Sequence, residues 1–288
     1  MSILINKENR VIVQGITGHQ GLFHTEKMLS YGTNIVGGVS PGKGGEWVLG
    51  GKIPVFDTAK IACSVTEADT SVIFIPARYA VNAIYEAIEA GIKLIVCVTE
   101  GIPIQDMLLI HRLCQEKNIT IIGPNSPGII SPGSAKVGII PNDISQNGNV
   151  GIISRSGTLT YEVMLALTNK GIGISTCVGI GGDPIIGSNF IEIIKLFESD
   201  PYTEKIVLIG EIGGSDEELA AEYISQYVTK PVYAYIAGLT APLNKKMGHA
   251  GAIIEGKLGS AAGKIKSLQT AGVIVASHPE ELSDLIKN

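Results

Sequence analysis

The sequence predicts an α/β protein made of two doubly wound parallel-sheet domains, on three observations. Short runs rich in Val and Ile alternate with helix-period segments almost throughout, which calls for parallel strands joined by right-handed helical crossovers. The 36 glycines of the 288 residues concentrate in the turns that follow those runs. One proline- and glycine-rich stretch interrupts the alternation and divides it into two series. A chain of this length can bury two cores.

In the first series, strands are expected at Arg10–Gln14, Asn34–Val39, Ser71–Ile75, Leu94–Val98 and Thr120–Ile122, with helices between them such as Tyr79–Ala90 and Ile104–Lys117. The stretch Gly123–Gly148 holds four prolines and five glycines without a clear period, and reads as a connector. The domain boundary is placed inside it, giving domains of residues 1–130 and 131–288. The second series begins with NVGIIS at Asn149 and continues through strands near Ser175–Gly179, Lys205–Ile209, Val232–Ile236 and Val273–Val275. Helices at Thr158–Asn169, Asn189–Glu198 and Asp216–Tyr227 separate them.

A net charge of -5 and a pI near 5.6 leave no basic footprint for nucleic acid. Cys63, Cys97, Cys114 and Cys177 are widely spaced, with no C-x-x-C pair, and read as reduced thiols. The longest apolar runs are strand-sized, far short of the ~20 residues of a spanning helix. The N-terminus runs almost directly into a strand and carries no signal-like segment. Together these features predict a cytoplasmic protein that does not enter a membrane.

Ligands of open parallel sheets sit beyond the carboxyl ends of the strands, so the turns there are where chemistry is sought. The first strand ends in QGITGHQG, with Gly15, Gly18 and Gly21 opening a helix. Such glycines permit a tight turn and let backbone N–H groups approach a pyrophosphate, although a plain glycine turn has the same pattern. The second strand ends in GGVSPGKGG, without the carboxylate that would bind an NAD ribose. Lys43 in that loop is either a solvated lysine or a contact for an additional phosphate, as in NADP or coenzyme A. Glu100 in CVTEGIP is either a helix cap or a partner for an adenine or ribose.

In the second series, Ser154, Ser156 and Thr158 lie in SRSGTLTYE, where Ser156-Gly157-Thr158 opens a helix able to hold an anion. An ordinary capped helix explains the same residues, but GIGGDP and GEIGGS also follow strands. The nucleophile-elbow pattern is not met, because Ser154 stands where G-x-S-x-G needs glycine. Of the five histidines, His249 in MGHAGAIIEG is set apart by its small neighbours. Either it is a satisfied structural histidine, or it is a nucleophile whose other ring nitrogen is held by an acceptor, for which Glu211 is the candidate. No second histidine lies at ligand spacing, so no metal is expected.

Taken together, QGITGHQGLFH, YGTNIVGGVSPGKGG, TEGIP, GPNSPG, SRSGTLTYE, CVGIGGDPIIGSNF, IGEIGGS, KPVYAYIAGLTAP and MGHAGAI resemble the α subunits of the succinyl-CoA synthetase family over essentially the whole chain. The resemblance implies an N-terminal Rossmann-like CoA-binding domain and a C-terminal flavodoxin-like ligase domain. It implies an ATP-grasp β subunit that carries the Mg-nucleotide. It also implies reversible conversion of succinyl-CoA, phosphate and ADP or GDP into succinate, CoA and ATP or GTP in the citric acid cycle. By position, Thr17, Gly18, His19 and Gln20 would line the CoA phosphates, Lys43 would meet a CoA phosphate or the ribose end, and Val98, Thr99 and Glu100 would border the adenosine. His249 would be phosphorylated and Glu211 would orient it. Ser154, Ser156, Gly157 and Thr158 would hold its phosphoryl oxygens, and Tyr161 would contribute to the substrate site. Ser126 departs from the family's frequent cysteine, and His19 from its usual serine. Rival readings are a related acyl-CoA ligase using another carboxylate such as malate, or a non-catalytic CoA- or NAD-sensing Rossmann protein.

Overall fold

A computed structural model describes residues 2–242, 244–254 and 259–287. The first half runs β1 (Val11–Gln14), α1 (His19–Tyr31), β2 (Ile35–Val39), β3 (Trp47–Val48), β4 (Ile53–Phe56), α2 (Ala59–Thr66), β5 (Thr70–Ile73), α3 (Ala77–Glu89), β6 (Leu94–Cys97), α4 (Ile104–Lys117) and β7 (Thr120–Ile122). Its sheet has the order β3-β4-β2-β1-β5-β6-β7, and only β3 is antiparallel to its neighbour. Without β3 this is the Rossmann order 3-2-1-4-5-6, with the reversal between β1 and β5. The four residues of β1 are all buried, as a strand covered by helices on both faces requires.

The second half runs β8 (Gly128–Ser131), β9 (Ala135–Gly138), β10 (Asn147–Ser154), α5 (Gly157–Asn169), β11 (Ile174–Gly179), α6 (Phe190–Ser199), β12 (Lys205–Glu211), α7 (Asp216–Tyr227), β13 (Val232–Ala237), α8 (Ala261–Thr270), β14 (Ile274–Ala276) and α9 (Glu281–Lys287). The sheet order is β14-β13-β12-β10-β11-β8-β9. Strands β10 to β14 are parallel in the flavodoxin order 2-1-3-4-5, and β8 and β9 add an antiparallel edge. The chain is therefore two α/β domains, each with a mostly parallel sheet.

The expected connector is the main correction, because two strands, β8 and β9, lie inside it. Ile129, Ile130 and Val137 there are fully buried. Gly128 and Gly138 face each other so closely that a Cβ on Gly128 would lie 2.1 Å from the Val137 carbonyl oxygen. Those glycines serve close strand approach and not only loop flexibility. The chain passes between the sheets after Ile122 and before Gly128, a few residues ahead of residue 130. The elements β3, β4, α2 and α8 are not among those expected from the sequence pattern. In β4 the reason is Pro54, which sits opposite Trp47 and breaks the strand signal.

The two sheets share a core. One apolar cluster runs from Val13 and Val96 through Ile122 and Ile129 to Val178 and Phe190. A polar clasp adds to it. Thr33 Oγ1 donates to the Lys136 carbonyl at 2.7 Å and accepts from the Lys136 N–H at 3.0 Å, tying the end of α1 to β9. The buried Lys136 ammonium donates to Ile140 O and Asn142 Oδ1, and burial lowers its pKa to about 8.

Candidate active site

The strand β12 ends at Glu211, whose side chain is only 8% exposed, and the carboxylate meets the one ring that the glycine loop offers it. His249 Nδ1 lies 2.8 Å from Glu211 Oε2 and 3.0 Å from Oε1. The hydrogen bond to Glu211 raises the His249 pKa above its ordinary 6.5, helped by the charges of Glu211 and Asp183 and opposed by burial and by Arg155. A carboxylate at Nδ1 holds the proton there and leaves the Nε2 lone pair free to act as a nucleophile.

The loop that carries the histidine is closed by its own backbone. Met247 N donates to Ala252 O at 2.9 Å, and Ala252 N donates to His249 O at 3.2 Å. Close approach accounts for several of the glycines around it. A Cβ on Gly182 would come 2.6 Å from His249 Cγ, and one on Gly213 would come 1.9 Å from the Gly251 oxygen. Gly248 has a φ of +78°, a backbone conformation that favours glycine. Glu255 and Gly256, which end the MGHAGAIIEG motif, lie outside the described residues.

Arg155 backs the pair. Its Nε is 4.0 Å from Glu211 Oε1, its Nη1 is 3.4 Å from Asp216 Oδ2, and its Nη2 donates to the Asp183 carbonyl at 3.3 Å. It also lines a cleft of about 470 Å³ together with Pro184, Ser215, Asp216, Ala250 and Gly251. Behind the turn, Glu217 Oε1 accepts the Glu211 N–H at 3.1 Å, while Lys264 donates to Glu217 Oε2 and to Gly213 O. Both charged side chains are fully buried. Burial pushes the Glu217 carboxyl up, against the pull of Lys264 and Arg155.

Ser154, Ser156, Gly157 and Thr158 meet this site through Arg155. Ser154 Oγ accepts the Ser156 N–H at 3.1 Å and donates to the Ser156 carbonyl at 2.9 Å, shaping the turn. Ser156 Oγ then caps α5 by accepting the Leu159 N–H at 3.3 Å. Tyr161 stands one turn further on, half-buried against the core that includes Cys177, and burial pushes its hydroxyl up to about 12. Among the described residues it makes no hydrogen bond to the histidine pair.

The other predicted residues gather at the carboxyl ends of β1, β2 and β6. Gly15 has a φ of +85°, and a Cβ on Gly21 would lie 2.2 Å from the Gly15 oxygen, so this turn needs both glycines. Gly18 precedes α1 with no side-chain cap, and His19 and Gln20 begin the helix exposed, so the first N–H groups are free for an anion. Thr17 Oγ1 and Ser40 Oγ lie 2.9 Å apart, linking this turn to the lysine loop. Lys43 is exposed there, in a loop pinned by Asp57 Oδ1, which accepts from Gly42 N and Gly44 N at 2.8 and 2.9 Å. Val98, Thr99 and Glu100 follow β6. Thr99 Oγ1 donates to Ile75 O at 2.6 Å, and Glu100 faces solvent.

Sequence reasoning misses Arg155, Asp183, Glu217 and Lys264. The first two lie inside the motifs SRSG and GIGGDP, so their signal is present. The second two carry none, because only burial marks them. Among the described residues, no group of three or more His, Cys, Asp or Glu could hold a metal ion, and no helix is long and apolar enough to cross a membrane.

Comparison with known proteins gives the family of each domain. The CoA binding domain family matches residues 6–101 and the CoA-ligase family matches residues 153–274. The α subunit 2 of an ADP-forming succinate–CoA ligase from Archaeoglobus fulgidus is 56% identical over 286 residues, covering 99% of both chains. The chain belongs to the succinate–CoA ligase α-subunit family. The α subunit from Aquifex aeolicus is 53% identical over 99% of this chain and 94% of that one. An ATP citrate lyase from Methanosaeta concilii, solved with (3S)-citryl-CoA, superposes with a TM-score of 0.89 at 25% identity. It covers 99% of this chain, which spans 51% of the lyase chain. Family membership makes the glycine turn of β1 part of a CoA-binding domain and the His249 region part of a CoA-ligase domain.

Proposed function

We propose that this chain is the α subunit of a succinate–CoA ligase, active with an ATP-grasp β subunit and acting in the citric acid cycle. The observation that carries the reading is the His249–Glu211 pair, set in a loop of small residues at the carboxyl end of a parallel sheet. Four free cysteines suit a reducing cytoplasm. The Mg-nucleotide, ADP or GDP, belongs to the β subunit. CoA lies along Thr17 to Gln20 with its phosphates at the α1 N-terminus, Lys43 meets a phosphate or the ribose end, and Val98 to Glu100 border the adenosine.

In the thioester-consuming direction, a phosphate oxygen attacks the succinyl carbonyl, and the C–S bond breaks to release CoA as its thiol. The product is succinyl phosphate. Nε2 of neutral His249 then attacks the phosphorus, the acyl O–P bond breaks, and succinate leaves with the electron pair. Glu211 holds the Nδ1 proton and stabilises the positive charge that the ring gains as the N–P bond forms. The N-terminus of α5, opened by Ser154, Ser156, Gly157 and Thr158, supports the phosphoryl oxygens, and Tyr161 contributes to the substrate side. Transfer to the terminal oxygen of the nucleoside diphosphate restores the histidine.

The test is phosphoryl labelling by a nucleoside triphosphate with both subunits present. Wild type should give an acid-labile, alkali-stable phosphoprotein, and His249→Ala should give none. Undiminished labelling in the variant refutes the assignment.

A further inference from the structure

Asp183 lies in the GIGGDP turn after β11, between the two domains, and is 3% exposed. Its Oδ2 accepts the Gly101 N–H at 3.2 Å, and its Oδ1 accepts from Asn125 Nδ2 at 3.1 Å. Both donors follow strands of the first sheet, and Asn125 N also donates to Thr99 O at 2.8 Å. On the other side, the Asp183 carbonyl accepts from Arg155, and Gly182 O accepts the Gly251 N–H at 3.3 Å. Gly182 is also the floor under the His249 ring.

We propose that Asp183 is a positioning residue that joins the 98–101 loop of the CoA-binding domain to the His249 loop, so that CoA seated on the first is registered at the second. The inference rests on the ligase reading above. A buried carboxylate held by N–H donors loses much of its compensation if one donor moves away. The link between Gly101 and Asp183 is therefore stiff, and displacement of the 98–101 loop is passed to residues 182–183. From there it reaches the imidazole by two short routes. Gly182 supports the ring directly, and Arg155 connects the Asp183 carbonyl to the carboxylate of Glu211.

A staple that only held the domains together would affect every step alike. Coupling to CoA predicts unequal effects on the two half-reactions of the complex with its β subunit. Loading of His249 from labelled nucleoside triphosphate needs no CoA, whereas discharge of the loaded enzyme by succinate plus CoA does. Asp183→Asn places an NH2 group in the cluster of donors. It should slow discharge about tenfold more than loading and raise the CoA concentration for half-maximal discharge. Asn125→Gly removes one donor and keeps a backbone with φ +55° accessible, so it should change the ratio in the same direction by less, and it decides the matter if Asp183→Asn does not fold. Equal loss in both half-reactions, or loss in neither, overturns the coupling. A wild-type complex that never loads His249 overturns the ligase reading and the coupling with it. Normal loading of wild type with an unchanged ratio in the variants overturns the coupling alone.

Discussion

Replacing Glu211 with glutamine keeps the size of the side chain and removes its charge, which isolates what the carboxylate does for His249. The backbone has reason to stay in place, because Glu217 continues to accept the residue 211 N–H. The substitution removes a carboxylate–imidazole hydrogen bond of 2.8 Å, and the best replacement is a neutral one to the amide oxygen. Hydrogen bonds to charged groups contribute about 1.5–3 kcal/mol and neutral ones about 0.5–1.5, so the difference is about 1–2 kcal/mol. If it is expressed in the transition state for N–P bond formation, loading slows by roughly 5- to 30-fold.

The pH dependence fixes the sign. On the proposed reading loading requires the neutral ring, so wild type should lose activity as the pH falls through a His249 pKa raised above 6.5. In the variant the carboxylate hydrogen bond and the Glu211 charge are gone, and burial and Arg155 still lower the pKa against the smaller pull of Asp183. The acidic limb therefore moves to lower pH as the plateau falls. Stability changes in the matching direction. A raised folded-state pKa stabilises fully below the ordinary 6.5 and is lost as pH rises through the folded value, so the Tm advantage of wild type should shrink as the solution becomes alkaline. Rapid-quench measurement of phosphoryl incorporation from about pH 5.5 to 9 at roughly half-unit steps covers the window. A variant with an unchanged plateau, or with its limb at the same or higher pH, would refute the role given to Glu211.

Substitutions at the buried ion pair and at Gly182 test the surroundings. Lys264→Met leaves the Glu217 carboxyl buried without its cation and should cost about 3–5 kcal/mol, whereas Lys264→Met with Glu217→Gln should recover much of that loss. Thermal unfolding decides between them, and equal Tm values for the single and double variants would count against a charged Lys264–Glu217 pair. Gly182→Ala has an ordinary backbone conformation but puts a Cβ 2.6 Å from His249 Cγ, so the ring must shift. A displacement near 1 Å costs on the order of 100-fold, so loading should fall by about that factor with Tm little changed. Full loading in this variant would mean that Gly182 is not the floor of the site.

Most of the fold is legible in the chain because parallel strands buried on both faces are nearly continuous apolar runs. VIVQ, LIVC and TII mark β1, β6 and β7 to within a residue or so, and the helices Ile104–Lys117 and Asp216–Tyr227 coincide with their expected bounds. The 123–148 stretch misleads for a physical reason. Glycine and proline carry the same letters whether they end a strand or let two strands meet, and only the approach of Gly128 to Val137 separates the cases. The histidine and its acceptor are legible as a pair, since each stands in a turn of small residues. The guanidinium behind them and the carboxyl at the domain junction stand in legible motifs, but their roles are hidden, because a charged residue in a glycine-rich turn looks solvated until burial is known.

The site divides rigidity unevenly, and the division suits a carrier loop. Glu211 is fixed from behind by Glu217 and Lys264 and flanked by Arg155, all buried, while Asp183 is held by donors from the other domain. His249 itself is attached by main-chain hydrogen bonds of its own loop, by one contact to Gly182 O through Gly251, and by the pair with Glu211. On the proposed ligase reading, phosphorylation at Nε2 would leave the Nδ1–H contact to Glu211 intact, so the same carboxylate would serve the loaded and the empty ring. On that reading, release of the ring toward a nucleotide on the β subunit would break only the Glu211 pair, the Gly251 contact and hydrogen bonds of the loop. The buried Lys264–Glu217 pair and its hold on the Glu211 backbone do not involve the histidine loop, so the acceptor would keep its geometry through such a cycle.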